Sequence, residues 1–155
     1  MIFVISLPLL AEDEECIFDQ DQQLEEYKKL EQRYPGSRYV EDEYRLIIPV
    51  EDGQVHLGKG GCVHYGITIE LIQPKTDRYK DEETFFAEVV RLVEQYDNEL
   101  ADAGELKKLL QQKKLENIPD DTGRYYFVAY EGLTAFEIYQ RDESDKTLIG
   151  VSYYY

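Results

Sequence analysis

Both histidines of the chain lie in the stretch HLGKGGCVHYG, residues 56–66, together with one of the two cysteines and four of the ten glycines. Imidazole nitrogen and thiolate sulfur are ligands that zinc, copper and nickel accept in proteins. His56, Cys62 and His64 are therefore candidate metal ligands, and a tetrahedral site would need one more. The stretch has no paired C-x-x-C spacing, and two neighbouring strands alone seldom enclose an ion. We predict a structural hairpin without metal or other cofactor, and keep a metal site as the alternative.

Alternating apolar residues after the glycines predict a β-strand over residues 62–72, whose apolar face carries Val63, Tyr65, Ile67, Ile69 and Leu71. The partner strand should present its own apolar residues on the same face, because paired residues of a ladder share a side. A three-residue loop after Gly58 satisfies this condition and pairs Gly58 with Cys62. The two histidines then pair with each other, and the three candidate ligands share the opposite face with Glu70.

Familiar catalytic motifs are absent from the chain. GKGG lacks the G-x-x-x-x-G-K-[ST] pattern of a phosphate loop, and G-x-S-x-G, G-x-G-x-x-G and H-E-x-x-H do not occur. Cys62 and His64 lie two apart on one strand, where side chains are roughly 6 to 7 Å apart, too far for the hydrogen bond that would activate the thiol. We predict that the protein is not an enzyme; a small metal-dependent enzyme built on His56, Cys62 and His64 is the alternative.

The charge balance is the most unusual property of the composition. The 155 residues include 33 Asp and Glu against 17 Lys and Arg, which gives a formal net charge of -16. Such a charge disfavours nucleic acid and anionic membranes as partners and accelerates the docking of cationic ones. Residues 11–43 carry twelve acidic and four basic side chains, an excess of eight that equals half of the net charge. The charge therefore predicts a localised acidic surface and a basic partner.

Hydrophobic periodicity predicts helices and strands in a single domain. Apolar residues at helical spacing indicate helices over residues 21–34, 81–100 and 105–115. Alternation and turn signals indicate strands over residues 44–50, 54–58, 62–72, 124–132, 134–142 and 147–155. We predict one α+β domain with a mostly antiparallel sheet and two to three helices packed on one face. Its C-terminal SYYY would be either the edge strand of a homodimer or a core strand of a monomer.

The N-terminal stretch MIFVISLPLLA is apolar but lacks the basic residues that begin an export signal, and it is shorter than the roughly 20 residues of a membrane helix. We predict that Met1–Ala11 is a strand of the sheet; a degenerate export signal is the alternative.

The two cysteines, Cys16 and Cys62, are too few for a disulfide scaffold and suit free thiols in a reducing compartment; a single disulfide between them is the alternative. The expected location is the cytoplasm.

A family resemblance begins at LGKGGC, residues 57–62, and continues through a hydrophobic strand to ETFFAEVVRLVEQY. Over residues 54–98 this order resembles the SUKH superfamily, whose members often carry a glycine- and cysteine-containing hairpin before a strand and a Phe-led helix later. Many bacterial members are immunity proteins, which block a toxin in the cytoplasm. The resemblance implies the same role for this chain.

Carboxylates and tyrosines together suit a protein-binding surface, because carboxylates accept bidentate bonds from arginine and tyrosine adds contact area at low entropy cost. Acidic runs occur at residues 12–15, 41–43, 119–121 and 142–145. The predicted partner-binding residues are Glu12, Asp13, Glu14, Glu15, Tyr39, Glu41, Asp42, Glu43 and Tyr44. We predict an immunity or antitoxin protein, monomeric or homodimeric, that neutralises a cognate basic, nuclease-like toxin. A phage or plasmid protein that mimics nucleic acid and inhibits a defence enzyme is a further alternative.

Overall fold

One eight-stranded antiparallel sheet organises the residues that the computed structural model describes, which are 20–60, 65–97, 99–130 and 135–154. The strands are β1 (Arg38–Val40), β2 (Arg45–Val50), β3 (Gly53–Gly60), β4 (Gly66–Pro74), β5 (Glu116–Ile118), β6 (Gly123–Val128), β7 (Phe136–Asp142) and β8 (Lys146–Tyr154). The helices are α1 (Gln20–Arg33), α2 (Glu82–Tyr96) and α3 (Ala103–Gln111). The predicted α+β class is confirmed. The predicted strand at Met1–Ala11 lies outside the described residues, as do Cys16, Cys62 and His64.

The sheet consists of two meanders that meet at its centre. Its strand order is β1-β2-β3-β4-β8-β7-β6-β5, so the last strand of the first meander pairs with the last strand of the second. This central ladder runs from Gly66 opposite Tyr154 to Pro74 opposite Lys146. Because β8 has partners on both sides, residues 152–154 are not an edge strand of this sheet.

Alternation along the strands divides the sheet into two faces. The face that we call the core face carries buried apolar side chains from both meanders, among them Leu46, Val55, Ile69, Ile138 and Val151. Tyr27 of α1, Phe85 of α2 and Leu106 of α3 belong to the same buried cluster. Burial of apolar area stabilises a fold by roughly 25 cal/mol per Å². The three helices and the core face therefore share one hydrophobic core.

Helix α2 has clear signals at both of its ends. The Asp81 side chain caps its N-terminus by accepting from the Thr84 N–H at 2.8 Å. The helix ends at Tyr96 rather than at residue 100, because the backbone of Asp97 leaves helical geometry (φ -159°, ψ 60°). Among the helices of the described ranges, none combines the length and apolar character that crossing a membrane requires.

Two short strands at the edges of the sheet, β1 and β5, are missing from the sequence prediction. Each has three residues, which is too short for alternation to be recognised between polar neighbours. Helix α3 was predicted to continue to residue 115, but it ends at Gln111, and residues 116–118 form β5.

The predicted register of the β3–β4 hairpin is wrong. Gly58 pairs with Thr68 rather than with Cys62, and the partner of His56 is Glu70. The two histidines are therefore not a ladder pair. The predicted register assumed that the glycines form the loop, whereas β3 continues through Gly60.

The observed register is the one that buries the apolar residues of both strands. Val55 pairs with Leu71 and Leu57 with Ile69, and all four side chains are buried on the core face. A shift by one residue would expose them, whereas a shift by an even number keeps every side chain on its face. The predicted assignment of residues to faces therefore holds for the described residues although the predicted loop was too short.

The opposite face of the sheet, which we call the second face, carries a row of eight positions, one from each strand. In ladder order the row is Arg38, Ile47, His56, Glu70, Gly150, Tyr139, Tyr125 and Ile118. Because Gly150 has no side chain, the Tyr139 ring lies over it and the Tyr139 hydroxyl donates to Glu70 at 2.9 Å. A glycine on β8 thus lets a tyrosine on β7 reach a carboxylate on β4.

Substitution of Gly150 by alanine should destabilise the protein. A Cβ atom at this position would lie 2.1 Å from Cζ of Tyr139, so the ring would have to move and would lose its bond to Glu70. We expect the free energy of unfolding in urea to fall by about 1–3 kcal/mol. Gly58→Ala is the matched control, because its Cβ would meet the nearest atoms at 3.9 Å, and we expect a change within about 0.5 kcal/mol. Equal losses in both variants would contradict this explanation.

Candidate functional site

The predicted partner-binding residues Glu41, Asp42 and Glu43 form a 3-10 turn between β1 and β2. The turn ends at Tyr44, whose backbone is left-handed (φ 48°) and whose N–H donates to the Glu41 carbonyl at 3.1 Å. The buried Tyr27 hydroxyl donates to the Tyr44 carbonyl at 2.5 Å. All four residues of the turn are exposed. The core therefore anchors the backbone of the turn while its side chains remain accessible.

The three carboxylates of the turn differ in their intramolecular partners. Glu43 forms an ion pair with Arg45, whose side chain is 34% exposed. Such a partly exposed pair contributes roughly 0 to 1 kcal/mol. Within the described ranges, Glu41 and Asp42 make neither an ion pair nor a side-chain hydrogen bond. These two carboxylates are therefore available to a cationic group from outside.

Tyr39 was predicted to contact a partner, and the structure places it behind the turn. Its ring stacks on Tyr27 with 4.3 Å between ring centroids, and its N–H donates to Glu31 at 2.8 Å. The residue is half-buried. Tyr39 therefore supports the turn, and only part of its ring is accessible to a partner. The other residues predicted for this surface, Glu12, Asp13, Glu14 and Glu15, lie outside the described residues.

The acidic runs among the described residues lie at two different ends of the sheet. Strand β2 starts beside residues 41–43 and leads to Glu51 and Asp52 at the other end. Residues 119–121 and 143–145 lie between strands at that same far end, and Asp142 is the last residue of β7, where it pairs with Thr147. The strands therefore separate the far-end runs from residues 41–43 by the length of the sheet.

His56 lies on the second face beside Arg45 and Glu70. Arg45 Nη1 is 2.9 Å from His56 Nδ1, and a guanidinium can only donate, so Nδ1 accepts and the proton of the neutral ring is on Nε2. His56 is 8% exposed, and its Nε2 has no hydrogen-bond partner in the described part of the chain. Burial, followed by the charge of Arg45, lowers the pKa of His56 below its ordinary value of 6.5. The imidazole is therefore neutral at physiological pH.

These contacts do not favour His56 as a metal ligand, because a guanidinium occupies Nδ1 and Nε2 is buried. Across the ranges described, no group of three or more His, Cys, Asp or Glu side chains is arranged to hold an ion. Cys62 and His64, the other candidate ligands, lie outside those ranges. His56 thus lies between Arg45, which donates to its Nδ1, and its ladder partner Glu70.

The sequence analysis misses a buried ionic cluster at Asp97, the residue that follows α2. Asp97 is 3% exposed, Lys59 Nζ lies 3.3 Å from its Oδ1, and the Tyr153 hydroxyl donates to its Oδ2. Burial raises the pKa of Asp97, whereas the Tyr153 hydrogen bond and the Lys59 charge lower it. The sequence did indicate the position of Lys59, because Lys59 is an even number of positions from Val55 and Leu57 on the same strand and therefore shares their face. Its ammonium group therefore lies on the core face and away from the second face.

Stability should depend on the protonation of His56. Because the fold lowers the His56 pKa, the unfolded chain binds the proton first as the pH falls. The contribution of neutral His56 is complete above pH 6.5 and is lost as the pH falls from 6.5 toward the folded-state pKa. The slope is at most about 1.4 kcal/mol per pH unit. Urea unfolding at a series of pH values should show this loss in the wild type and not in His56→Gln.

The same variant identifies the His56 signal in an NMR titration, because the chain has only two histidines. We expect the His56 ring protons to titrate below pH 6.5. A titration midpoint at or above that value would contradict the buried, Arg45-bound state of the imidazole.

No family model matches the chain, and neither a curated protein nor a solved structure gives a significant match. The resemblance of residues 54–98 to the SUKH superfamily therefore stays a prediction. The geometry itself provides an anchored, exposed acidic turn beside a neutral, buried histidine.

Proposed function

We propose that this protein is an immunity or antitoxin protein, which binds and neutralises a cognate basic, nuclease-like toxin in the cytoplasm without a chemical step of its own. The observation that carries the proposal is the turn at residues 41–44, in which three consecutive carboxylates and a tyrosine are exposed on an anchored backbone. The proposal also agrees with the role that the SUKH resemblance implies.

The chemistry of the turn suits a basic protein surface. A nuclease needs a cationic active site because its substrate is a polyanion. The Glu41 and Asp42 carboxylates can accept bidentate hydrogen bonds from arginine, and neither forms an ion pair with another described residue that would have to break first. The hydrogen bonds that Tyr27 and Glu41 make to the backbone of Tyr44 reduce the conformational entropy that binding would cost.

The acidic turns at the far end of the sheet have a different role in this proposal. They lie a sheet length away from residues 41–43, so one small contact patch does not include both. Their charge adds to the long-range field of a molecule with a net charge of -16, and this field accelerates the approach of a basic partner. Salt screens such attraction over roughly 8 to 10 Å. The far-end carboxylates thus support the rate of association, and the turn at residues 41–44 supports both the rate and the stability of the complex.

The two alternatives receive less support from the described residues. The metal-dependent enzyme needs His56 as a ligand, and Arg45 occupies its Nδ1. A nucleic-acid mimic would be favoured by regularly spaced acids on long helices, whereas the acidic runs described here lie in turns between strands. We therefore retain the inhibitor of a basic toxin as the function that the geometry supports best.

Charge reversal in the turn should slow association with the toxin. The candidate toxin is the polypeptide encoded by the reading frame directly upstream of the gene. We expect Glu41→Lys with Asp42→Lys to reduce the association rate constant about tenfold at low salt, measured by stopped flow, and to reduce its salt dependence. The matched control is Glu51→Lys with Asp52→Lys, which makes the same change in net charge at the far end of the sheet and should have a smaller effect.

Growth of cells that express this toxin tests the function itself. Co-expression of the wild-type protein should restore growth. An upstream frame that encodes a metabolic enzyme, or a toxin that the wild-type protein neither binds nor neutralises, would contradict the proposed function. Equal effects of the two charge-reversed variants would show that net charge alone, and not the turn at residues 41–44, governs association.

A further inference from the structure

A shallow groove of about 370 Å³ lies on the second face, directly beside the turn at residues 41–44. Its floor and walls include Gly58, Gly60, Gly66, Thr68, Tyr44 and Tyr154. We call it the tyrosine groove, because Tyr44 and Tyr154 are two of the three large apolar side chains that are exposed in the described ranges. The predicted partner-binding residues did not include Tyr154.

Glycines form the floor of the groove at neighbouring ladder positions. Gly60 pairs with Gly66, and Gly66 pairs with Tyr154. A Cβ atom on Gly66 would lie 2.6 Å from Cδ1 of Tyr154, so the ring lies over a position that only glycine leaves open. Gly58 on the next position is not covered in this way, because a Cβ there meets its nearest atoms at 3.9 Å. The open part of the floor is therefore the backbone at Gly58, which a flat group can approach closely.

The positive charges near the groove are already bound elsewhere. Lys59 contributes to the groove, but its ammonium lies 3.3 Å from buried Asp97 on the core face. The Arg45 guanidinium is held by Glu43 and His56. The carboxylates of Glu41 and Asp42, within three residues of Tyr44, have no such partner in the described part of the chain. The groove therefore has two aromatic walls, and one of them, Tyr44, directly follows the turn that carries the Glu41 and Asp42 carboxylates.

We infer that the tyrosine groove receives an arginine side chain of the basic partner, an inference that rests on the proposed function. A guanidinium is planar, so it stacks on aromatic rings, and it is less strongly hydrated than an ammonium. Its fork of N–H donors also matches a carboxylate in a bidentate geometry. Tyr44 and Tyr154 provide the rings, and Glu41 or Asp42 provides the carboxylate. A lysine side chain would satisfy the charge but not the stacking.

Two peptides of equal charge test the side-chain preference directly. Acetylated, amidated tetra-arginine and tetra-lysine are titrated into the ¹⁵N-labelled protein, and binding is followed by amide chemical shifts. We expect tetra-arginine to shift the amide signals of Gly58, Gly60 and Gly66 and to bind about fivefold or more tightly than tetra-lysine. Equal affinities, or shifts that leave the three glycines unaffected, would overturn the inference.

Variants of the groove separate this inference from the proposed function. We expect Gly58→Val, which fills the floor, and Tyr154→Ala, which removes a wall, each to weaken tetra-arginine binding and toxin binding about tenfold. Tyr154→Phe keeps the ring and should bind within about twofold of the wild type. Leu100→Ala is the control, because Leu100 is the third exposed apolar side chain and does not line the groove. Thermal unfolding measures whether each variant is folded. If Gly58→Val is unfolded, the binding result for Tyr154→Ala decides the test.

The outcomes are distinguishable. One outcome is that charge reversal at Glu41 and Asp42 slows toxin association while Gly58→Val and Tyr154→Ala bind toxin as the wild type does. In that case the inference that the tyrosine groove receives an arginine is overturned, and the proposed function stands. If the wild-type protein binds tetra-arginine through the groove but forms no complex with the toxin, the groove is supported and the proposed function fails.

Discussion

The pairing of β4 with β8 is the contact on which the rest of the structure depends. It joins residues 66–74 to residues 146–154, the two stretches that end the two meanders, and it is the only ladder between them in the described ranges. Contacts of such high sequence separation have a large entropic cost, which the burial of Ile69, Leu71, Ile149 and Val151 offsets. The same ladder aligns Glu70 with Gly150 and Gly66 with Tyr154. Both the tyrosine network of the second face and the groove at its end therefore follow from one register.

The sequence predicts well which face of the sheet each strand residue occupies. Residues with alternating apolar character must face the core, and this condition assigns His56, Gly58, Thr68 and Glu70 to the second face without knowledge of the loop. The loop itself is not predictable in the same way. Glycine is compatible with a turn and with an extended ladder, so the GKGG stretch carries no side-chain signal that distinguishes the two. Three-residue edge strands are missed for a related reason, because three residues are too few for an alternation of apolar and polar side chains to be recognised.

The candidate site was predictable in its composition and not in its arrangement. A run such as Glu41–Glu43 identifies exposed negative charge, since consecutive carboxylates are rarely buried. The sequence alone does not show that Glu43 forms an ion pair with Arg45. It also does not show that the Lys59 ammonium lies beside Asp97, 38 positions later in the chain, and not in the groove. These are contacts between elements, and they depend on the register of β3. Tyr154 was not among the predicted partner-binding residues, because the sequence alone does not show that its ring lies over Gly66 of the neighbouring strand, 88 positions earlier in the chain.

The short strands at the two margins of the sheet have a consequence for how this chain behaves among its own copies. A sheet of eight strands would ordinarily offer two long rows of unpaired amide and carbonyl groups to another chain. Here each margin is a strand of three residues, and β5 is followed directly by Pro119, which has no N–H to donate. Each described margin therefore offers only a short row of backbone groups, which disfavours edge-to-edge pairing between copies of the chain.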